Sequence, residues 1–529
     1  MPRYLLTVAS ILLLLFPASA QDTQPVVEMN ADRTNIYPQR MELTGEESLM
    51  DLLQMVPDLA IAGYEDVISG YNIRIDNVPF NGDNKLIISQ IKAKDIAKIQ
   101  VCHNTGVAKG TIGTGQVLDI NMKMPDTLNA FVEGQGSLGK KTEGNGTLNA
   151  LYGSKGTDLY ANASYRYQNG NKEYLTLHMT NRFDDRNKLL TYFTQQYTEQ
   201  PSGTSRKVLG RARFFHTFNS IGTELLVLGS YQYASDQSCS NKLPMYTLEL
   251  NTPLFTKRLE MMLGVEGDFL MTEQKTRDWS WHIFNNDIYL QLTYALPHWK
   301  LTTGHRVMFY DHKVMSETDS RHCSDTRNNT NACVIYLPNA HNQIQMGYYR
   351  KYYNPAYQAL LTNAATLSAA DWAVTRRQLN DRDINQIKLA YTYSRQRLTV
   401  QTEASHYIVE GEDNFTLLGA SAYWKNPWLT LTGGTNLHIA KDIVSASLRV
   451  APTAHLPHAW QVGLQMVYYT KKSPIRTTYG TPVYGCLSVD KQWGSHWHLG
   501  IDWHDMFDAF CSEAQVNRHA ANIKLQYRF

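Results

Sequence analysis

The feature that most limits how this chain can fold is a strict alternation of apolar and polar residues over segments of about ten residues. In the last segment, 521–529, every second position is apolar or aromatic and the positions between are polar or charged. The same alternation runs through 159–168, 263–269 and 398–405. Because successive side chains of a β-strand point to opposite faces, each segment predicts a strand with one apolar and one polar face.

The length of these segments separates a membrane strand from a soluble one. A tilted strand that crosses a bilayer needs about 9–11 residues, whereas strands of soluble domains have about five or six. The alternation therefore predicts an all-β membrane protein, an antiparallel transmembrane β-barrel whose apolar face meets lipid and whose polar face lines a wet lumen. A large soluble β-protein is the alternative that the pattern leaves open.

Composition narrows the class of protein further. Charged residues make up 19% of the 529 residues, below the roughly 25% of soluble domains, and aromatic residues reach 11%. The mean hydropathy of −0.39 argues against a helical membrane protein. A net charge of +2 argues against a nucleic-acid partner.

The first 20 residues have the three parts of a secretory signal peptide. Arg3 supplies the positive charge, 5–16 is an apolar core, and Ala18-Ser19-Ala20 is a small-residue cleavage site. We expect cleavage before Gln21 and export from the cytoplasm. An uncleaved membrane anchor is the alternative.

Four short turns place a Trp at the start of a following strand, at Trp299, Trp428, Trp460 and Trp497. Trp in this position is typical of the aromatic girdle at a membrane interface. The last three lie 32 and 37 residues apart, which gives about 34 residues for each hairpin and its loop. Dividing 126–529 by this repeat, with allowance for longer loops, predicts about 22 strands, which is enough to enclose a folded domain. We interpret the neighbouring histidines as turn residues rather than metal ligands: His298, His458 and His496.

Residues 41–124 lack the long alternation and predict a small α+β module. Leu49, Leu52, Leu53 and Val56 recur at helical spacing, and Pro57 ends the run. Short apolar strands follow at 73–75, 86–88 and 99–101.

This module resembles the plug domain of TonB-dependent outer-membrane receptors. The resemblance rests on the order of four segments: 48–57, 73–79, 91–101 and 113–120. It implies that the module lies inside the barrel lumen and that the protein resides in the outer membrane of a Gram-negative bacterium.

The barrel resembles the Bacteroidetes-type outer-membrane β-barrel family found with such plugs. The matching segments are 343–351 followed by Asn354-Pro355, and 505–507. The C-terminal residues Tyr527 and Phe529 resemble the aromatic signal that the barrel-assembly machinery recognises. The resulting organisation is a signal peptide at 1–20, a periplasmic leader at 21–40, a plug at 41–124 and a barrel at 125–529.

A transporter of this family needs an extended periplasmic segment that adds a strand to TonB. The candidate for this TonB box is Val26, Val27, Glu28 and Met29. A leader without a partner is the alternative.

Two cysteines, Cys323 and Cys333, flank the polar stretch 324–332 and predict a disulfide that closes an external loop; unpaired thiols are the alternative. No Cys-x-x-Cys pair or Gly-x-Ser-x-Gly motif occurs. We therefore predict no metal site, no cofactor and no enzymatic activity.

Taken with the resemblance, these features predict a TonB-dependent importer of a siderophore, a cobalamin, a glycan or a peptide. Its partners would be outer-membrane lipid, TonB and the barrel-assembly machinery. A plugged barrel that does not transport, and serves as a surface receptor, adhesin or scaffold for a partner such as a surface lipoprotein, is the alternative. Arginines predicted to face the lumen suit either an anionic ligand or a solvated wall: Arg166, Arg211 and Arg213.

Overall fold

A computed structural model describes residues 25–123 and 128–528 apart from short gaps. The gaps are 32, 42, 44–48, 54–71, 76–77, 80–90, 92, 103–116, 140–142, 155, 168–169, 202, 219–221, 238, 255–257, 275–278, 317–319, 354–381, 412, 442, 471–482, 495 and 505–519. The predicted signal peptide and Phe529 lie outside the described residues. Among these residues, no helix is long and apolar enough to cross a bilayer.

The first unit is a mixed sheet of six short strands, which we call the plug. Its strands are β1 (Val27–Met29), β2 (Thr34–Ile36), β3 (Asn72–Ile75), β4 (Val78–Pro79), β5 (Ile96–Cys102) and β6 (Val117–Met122), in the spatial order β1-β2-β5-β6-β3-β4. Only β3 and β6 pair in parallel. The helix α1 (Leu49–Leu53) and 3₁₀ turns at Pro38–Arg40 and Ala93–Asp95 complete the described part.

The plug has its own apolar core because its strands and helix are rich in aliphatic residues. These elements are too short to cross a membrane, so their apolar side chains pack against one another. Fully buried members include Ile36, Leu49, Ile99, Leu118 and Ile120. The same core extends to the wall residues Leu151, Tyr160 and Tyr423, so the plug packs inside the second unit. The sheet begins at β1, which places part of the predicted leader, 21–40, within the plug.

The second unit is a closed antiparallel barrel of 22 strands, which confirms the predicted fold class. Its strands are β7 (Asn129–Gly139), β8 (Glu143–Gly153), β9 (Thr157–Tyr167), β10 (Asn171–Arg182), β11 (Asn187–Gln200), β12 (Gly203–Thr217), β13 (Glu224–Ser235), β14 (Cys239–Leu254), β15 (Leu259–Gln274), β16 (Trp279–Ala295), β17 (Trp299–Ser316), β18 (Ser320–Asn339), β19 (Asn342–Tyr353), β20 (Arg382–Arg395), β21 (Leu398–Val409), β22 (Phe415–Lys425), β23 (Leu429–Ala440), β24 (Val444–Leu456), β25 (Trp460–Tyr469), β26 (Val483–Trp493), β27 (Trp497–His504) and β28 (Ala520–Arg528).

The barrel closes where its last strand, β28, pairs with its first, β7, and Lys524 forms an ion pair with Glu133 across this seam at 3.1 Å. Polar side chains of the alternating segments point into the lumen and are buried, as with Lys524 and Gln526. Apolar residues between them, such as Ile523 and Leu525, remain exposed on the outer face. The alternation thus reports the two faces of the wall as predicted.

The two ends of the barrel differ. At the end that carries the start of β7 and the end of β28, connections are short, as at 296–298, 340–341, 396–397 and 426–428. We call this the turn end and the opposite one the loop end. The four turn tryptophans lie at the turn end with 40–63% of their surface exposed: Trp299, Trp428, Trp460 and Trp497. Exposed Trp residues at one end of a barrel are the arrangement typical of an interfacial girdle.

The polar stretch 324–332 differs from its prediction as a loop. It belongs to β18, which pairs with β17 from Ser320 to Tyr336. A polar sequence can form strand here because the hairpin extends towards the loop end, where both faces of a strand can contact water.

Candidate functional site

The first plug strand, β1, is the edge of its sheet, and it pairs only with β2 within the plug. Edge strands present backbone N–H and C=O groups that need other partners when they are buried. Val27 is completely buried and Met29 is 5% exposed, so water does not serve this edge.

Side chains of the barrel wall take the place of the missing strand. Ser394 Oγ accepts a hydrogen bond from Val27 N at 2.8 Å. Gln343 bonds twice: its Oε1 accepts from Met29 N at 2.6 Å, and its Nε2 donates to Val27 O at 2.9 Å. One glutamine amide thus satisfies both a donor and an acceptor of the β1 backbone.

The docking continues along the residues that follow β1. Gln345 Nε2 donates to Asn30 O at 3.1 Å, and Tyr349 Oη donates to Ala31 O at 2.5 Å. Lys300 Nζ donates to the Asn30 side chain at 2.5 Å. We call these contacts the latch: Gln343, Gln345, Tyr349 and Ser394 on the wall with the backbone of 27–31 on the plug.

Local packing fixes the position of the latch. Tyr349 Oη also accepts from Gln345 Nε2 at 3.0 Å, which orients both side chains. The Tyr349 ring lies over Gly347, where a Cβ would come within 2.6 Å of ring atoms, so only glycine leaves room for this ring position. Ala31 packs against Cys333 and Ile335 of β18.

The hairpin of β1 and β2 is tied together at its base. Tyr37 Oη donates to Glu28 Oε2 at 3.0 Å, and burial together with the Glu28 charge raises the pKa of Tyr37 above its ordinary value. The Arg40 guanidinium lies 3.7 Å from the Tyr37 ring centroid and donates to Pro25 O at 2.8 Å. On β5, burial and the neighbouring Arg33 lower the pKa of Lys98.

The structure places the predicted TonB-box residues Val26, Val27, Glu28 and Met29 within and next to β1. Both valines are buried, at 1% and 0% exposed, and the segment is held by the latch. It is therefore an ordered sheet edge inside the lumen in this conformation rather than a free extended leader.

A second cluster spans four wall strands at mid-height, where Arg306 is completely buried between two carboxylates. Its Nη2 lies 2.5 Å from Asp287 Oδ2 and 2.7 Å from Glu266 Oε2, and its Nε donates to Asp287 at 2.9 Å. Tyr289 lies beneath the guanidinium and donates to Glu249 Oε2 at 2.7 Å. Each charge in this cluster therefore has a partner.

The predicted disulfide between Cys323 and Cys333 is wrong. Both cysteines lie on β18, ten residues apart, and a strand rises about 3.3 Å per residue, so their Cα atoms are roughly 33 Å apart. A disulfide needs Cα atoms within about 7 Å. Cys333 is buried, and its Sγ accepts a hydrogen bond from Gln345 Nε2 at 3.3 Å.

The remaining predicted residues are dispersed. Tyr527 packs against the indole of Trp497, with ring centroids 4.7 Å apart, at the turn end. His298 bonds the Leu337 carbonyl through Nδ1 at 3.0 Å. In the part of the chain that the structure describes, no group of three or more His, Cys, Asp or Glu residues could hold a metal ion.

Sequence reasoning did not identify the latch residues Gln343, Gln345, Tyr349 and Ser394. Alternation assigns all four to the lumen, but many other wall residues share that assignment. Nothing in the sequence indicated that these four residues bind β1, because β1 had been predicted as part of a leader outside the plug.

A closed 22-strand barrel that holds a small mixed sheet in its lumen is a fold shared with solved outer-membrane receptors and transporters. Similar solved structures include the siderophore receptor PirA from Pseudomonas aeruginosa, with a TM-score of 0.68, 11% identity and coverage of 95% of this chain and 100% of that chain. The alcaligin outer-membrane receptor FauA from Bordetella pertussis has a TM-score of 0.66 and 12% identity, covering 95% of each chain. The copper transporter OprC has a TM-score of 0.67 and 12% identity, covering 97% and 100%.

At this level of identity the likeness shows the fold alone. No protein-family model matches the sequence, and no curated protein matches it significantly.

Proposed function

We propose that the protein is a TonB-dependent importer of the Gram-negative outer membrane that carries a scarce or bulky solute past a movable plug. The latch is the observation that carries this proposal. Its contacts run from wall side chains to plug backbone, and individual hydrogen bonds of this kind contribute only about 0.5–1.5 kcal/mol net. Such a plug is held in place yet can be displaced by a pulling force and can return.

The solute classes are those predicted from the sequence: siderophore, cobalamin, glycan or peptide. Similar structures are described as receptors or transporters for siderophores, iron and copper, which favours a metal chelate among these classes. We also propose the Bacteroidetes-type barrel family, cleavage of 1–20, and recognition of Tyr527 and Phe529 by the barrel-assembly machinery.

The energising contact follows from the edge position of β1. An edge strand can pair with a strand of another protein, and this is how a TonB box would bind its partner. We propose that Val26, Val27, Glu28 and Met29 serve this role after they leave the latch. Deleting them would test uptake poorly, because the deletion also removes latch contacts.

A covalent lock tests the importer directly. Ala31 packs against the native thiol of Cys333, so the variant Ala31→Cys should form a disulfide that ties the plug to the wall. A strain lacking the gene is complemented with each variant and grown under iron, cobalamin or glycan limitation. We expect wild type to restore growth in one condition, the oxidised Ala31→Cys variant to fail, and a reducing agent to restore it.

Two controls isolate the lock: Ala31→Ser, and Ala31→Cys combined with Cys333→Ser. Both should support growth like wild type. Full growth of cells whose Ala31→Cys protein is shown by mass spectrometry to be cross-linked would contradict plug movement.

The alternative, a plugged barrel without transport, is favoured by the burial of Val27 and Met29 within the plug sheet. It would then act as a surface receptor, adhesin or scaffold, for instance for a surface lipoprotein. Purified TonB C-terminal domain discriminates between the two functions. Binding to the full-length protein, or to a variant with the latch glutamines replaced, supports the importer, and no binding to either supports the alternative.

A further inference from the structure

One side of the lumen carries more positive than negative charge among the described residues. On β12, Lys207, Arg211 and Arg213 occupy alternate positions of one face. Directly opposite Arg211 and Arg213 on β11 lie Tyr192 and Leu190, which are both buried. Because directly opposed residues of an antiparallel pair share a face, the three cations point into the lumen.

A fourth cation, Arg74 of the plug, repels the wall arginines. Arg211 interacts electrostatically with Arg213 and with Arg74 of β3, and both interactions are repulsive. The Nε atoms of all three arginines are buried, and none has a hydrogen-bond partner in the described part of the chain. Lys207 is half-buried, and no charge of the described residues offsets its own.

The nearest carboxylates are already engaged. Glu266 attracts both wall arginines but is bound to Arg306, and Glu249 accepts from Tyr289. Asp119 of the plug attracts Arg213 and lies in register with Arg74. Asp119 thus supplies a single negative charge against the positive charges of three arginines, Arg74, Arg211 and Arg213. It leaves a local excess of positive charge.

The cations continue towards the turn end. Arg213 and Lys188 both approach the ring of Phe215, at 5.8 and 5.9 Å from its centroid. Lys207 lies nearer the loop end, and eight residues of strand between it and Phe215 span about 26 Å. We call Lys207, Arg211 and Arg213 on the wall, together with Arg74 on the plug, the basic track.

We propose that the basic track binds a small solute with two or more oxyanion groups, of the polycarboxylate or phosphate type, along the boundary between plug and wall. Guanidinium groups bind carboxylate and phosphate in a forked geometry, and an unpaired charge in a poorly solvated site attracts an anion strongly. The proposed anion binding does not depend on the importer function. That the bound solute is also the transported one rests on the proposed importer function.

Calorimetric titration of the full-length protein in neutral detergent tests the binding. The probes are citrate for the polycarboxylate class and pyrophosphate for the phosphate class, with sucrose as an uncharged control. We expect saturable binding of at least one anion, weakened several-fold by raising the salt from 50 to 300 mM, and no binding of sucrose. Absence of saturable binding by both anions at low salt would overturn the proposal.

The variant Arg211→Gln with Arg213→Gln should weaken anion binding at least ten-fold. The matched control is Arg206→Gln, which removes a cation from the exposed outer face of the same strand and should bind like wild type. The single variant Arg74→Gln repeats the test from the plug side. Unchanged binding in the double variant would contradict the assignment.

A second readout separates binding from structural support. Removing two cations that repel each other should keep or raise the thermal unfolding temperature of the double variant, whereas loss of a structural contact would lower it. Added citrate or pyrophosphate should raise the unfolding temperature of wild type only. If binding holds while the oxidised Ala31→Cys variant still supports growth, the importer fails and the anion site stands. If the oxidised Ala31→Cys variant fails to support growth while neither anion binds, the importer stands and the anion site fails.

Discussion

The lumen has two sides that receive the plug in opposite ways. On β19 and β20, Gln343, Gln345 and Ser394 pair with the backbone of the first plug strand. On β12, Arg211 and Arg213 are repelled by Arg74 of the plug. The same period-two pattern points both sets of side chains inwards, so the difference lies in chemistry rather than in wall geometry.

The contrast indicates which side of the boundary opens. A buried polar group without a partner costs free energy, so a side whose wall side chains bond the plug backbone resists separation. A side with unpaired like charges gains from separation or from an anion between them. A plug anchored by the latch and repelled by the basic track should therefore part from the wall along β11 and β12 first.

The largest expected effect comes from removing the latch. In the variant Gln343→Leu with Gln345→Leu, the buried Met29 N and Val27 O and the partly buried Asn30 O lose hydrogen-bond partners. Each unsatisfied group costs about 1–3 kcal/mol, so the docked plug should be destabilised by roughly 3 kcal/mol or more. We expect long single-channel openings in planar bilayers, where wild type stays closed.

The matched control is Gln465→Leu, which replaces a buried wall glutamine whose Nε2 has no partner among the described residues. It should stay closed like wild type. A closed channel in the latch variant would show that other contacts hold the plug and would remove the contrast between the two sides.

A smaller effect distinguishes paired from unpaired arginines. Arg306→Met leaves Asp287 and Glu266 buried without their partner and should cost about 3–5 kcal/mol of folding free energy. Arg211→Met removes a cation whose buried Nε makes no hydrogen bond among the described residues and which Arg74 and Arg213 repel, so it should be neutral or stabilising. Urea unfolding in detergent, followed by tryptophan fluorescence, measures both. Equal destabilisation by the two variants would mean that Arg211 has a structural partner.

The barrel was predictable from sequence because each wall strand records its two environments in every second residue. The count of about 22 followed from the spacing of Trp428, Trp460 and Trp497, which repeat with the hairpins, and from an allowance for longer loops. The plug was predictable from the order of its segments, although β1 was assigned to a leader. Three residues, Val27–Met29, are too few to show a period, and their partners lie more than 300 residues away.

The disulfide prediction failed for a related reason. Polar residues between Cys323 and Cys333 indicate a loop in soluble proteins, but a wall strand that projects beyond the membrane can be polar on both faces. The basic track was half predictable: alternation pointed Arg211 and Arg213 into the lumen, but only the fold shows that Arg74 meets them and that nearby carboxylates are engaged.

The smallest effect concerns two short connections at the turn end. One lies on the side of the basic track and the other on the side of the latch. Asp184 Oδ1 accepts from the backbone N of Arg186 and of Asn187, both at 2.7 Å, and the Asn187 side chain bonds the same carboxylate. Asn339 makes the same three contacts with His341 and Asn342 at 2.8–3.0 Å. The two turns therefore differ chiefly in charge.

This difference predicts a pH dependence on one side only. Hydrogen bonds from the Asn187 side chain and from the Arg186 backbone hold the pKa of Asp184 below its ordinary value. A lowered pKa in the folded state stabilises the turn above the ordinary Asp value, and that contribution is lost as the pH falls through the lowered value. Asn339 does not titrate, so its turn should be indifferent to pH.

Hydrogen exchange of 183–190 and 339–345, compared between wild type and variants at each pH, measures both turns. Asp184→Asn should remove the acid sensitivity of the first turn, and Asn339→Asp should introduce it into the second; acid sensitivity that survives Asp184→Asn would assign it to another group.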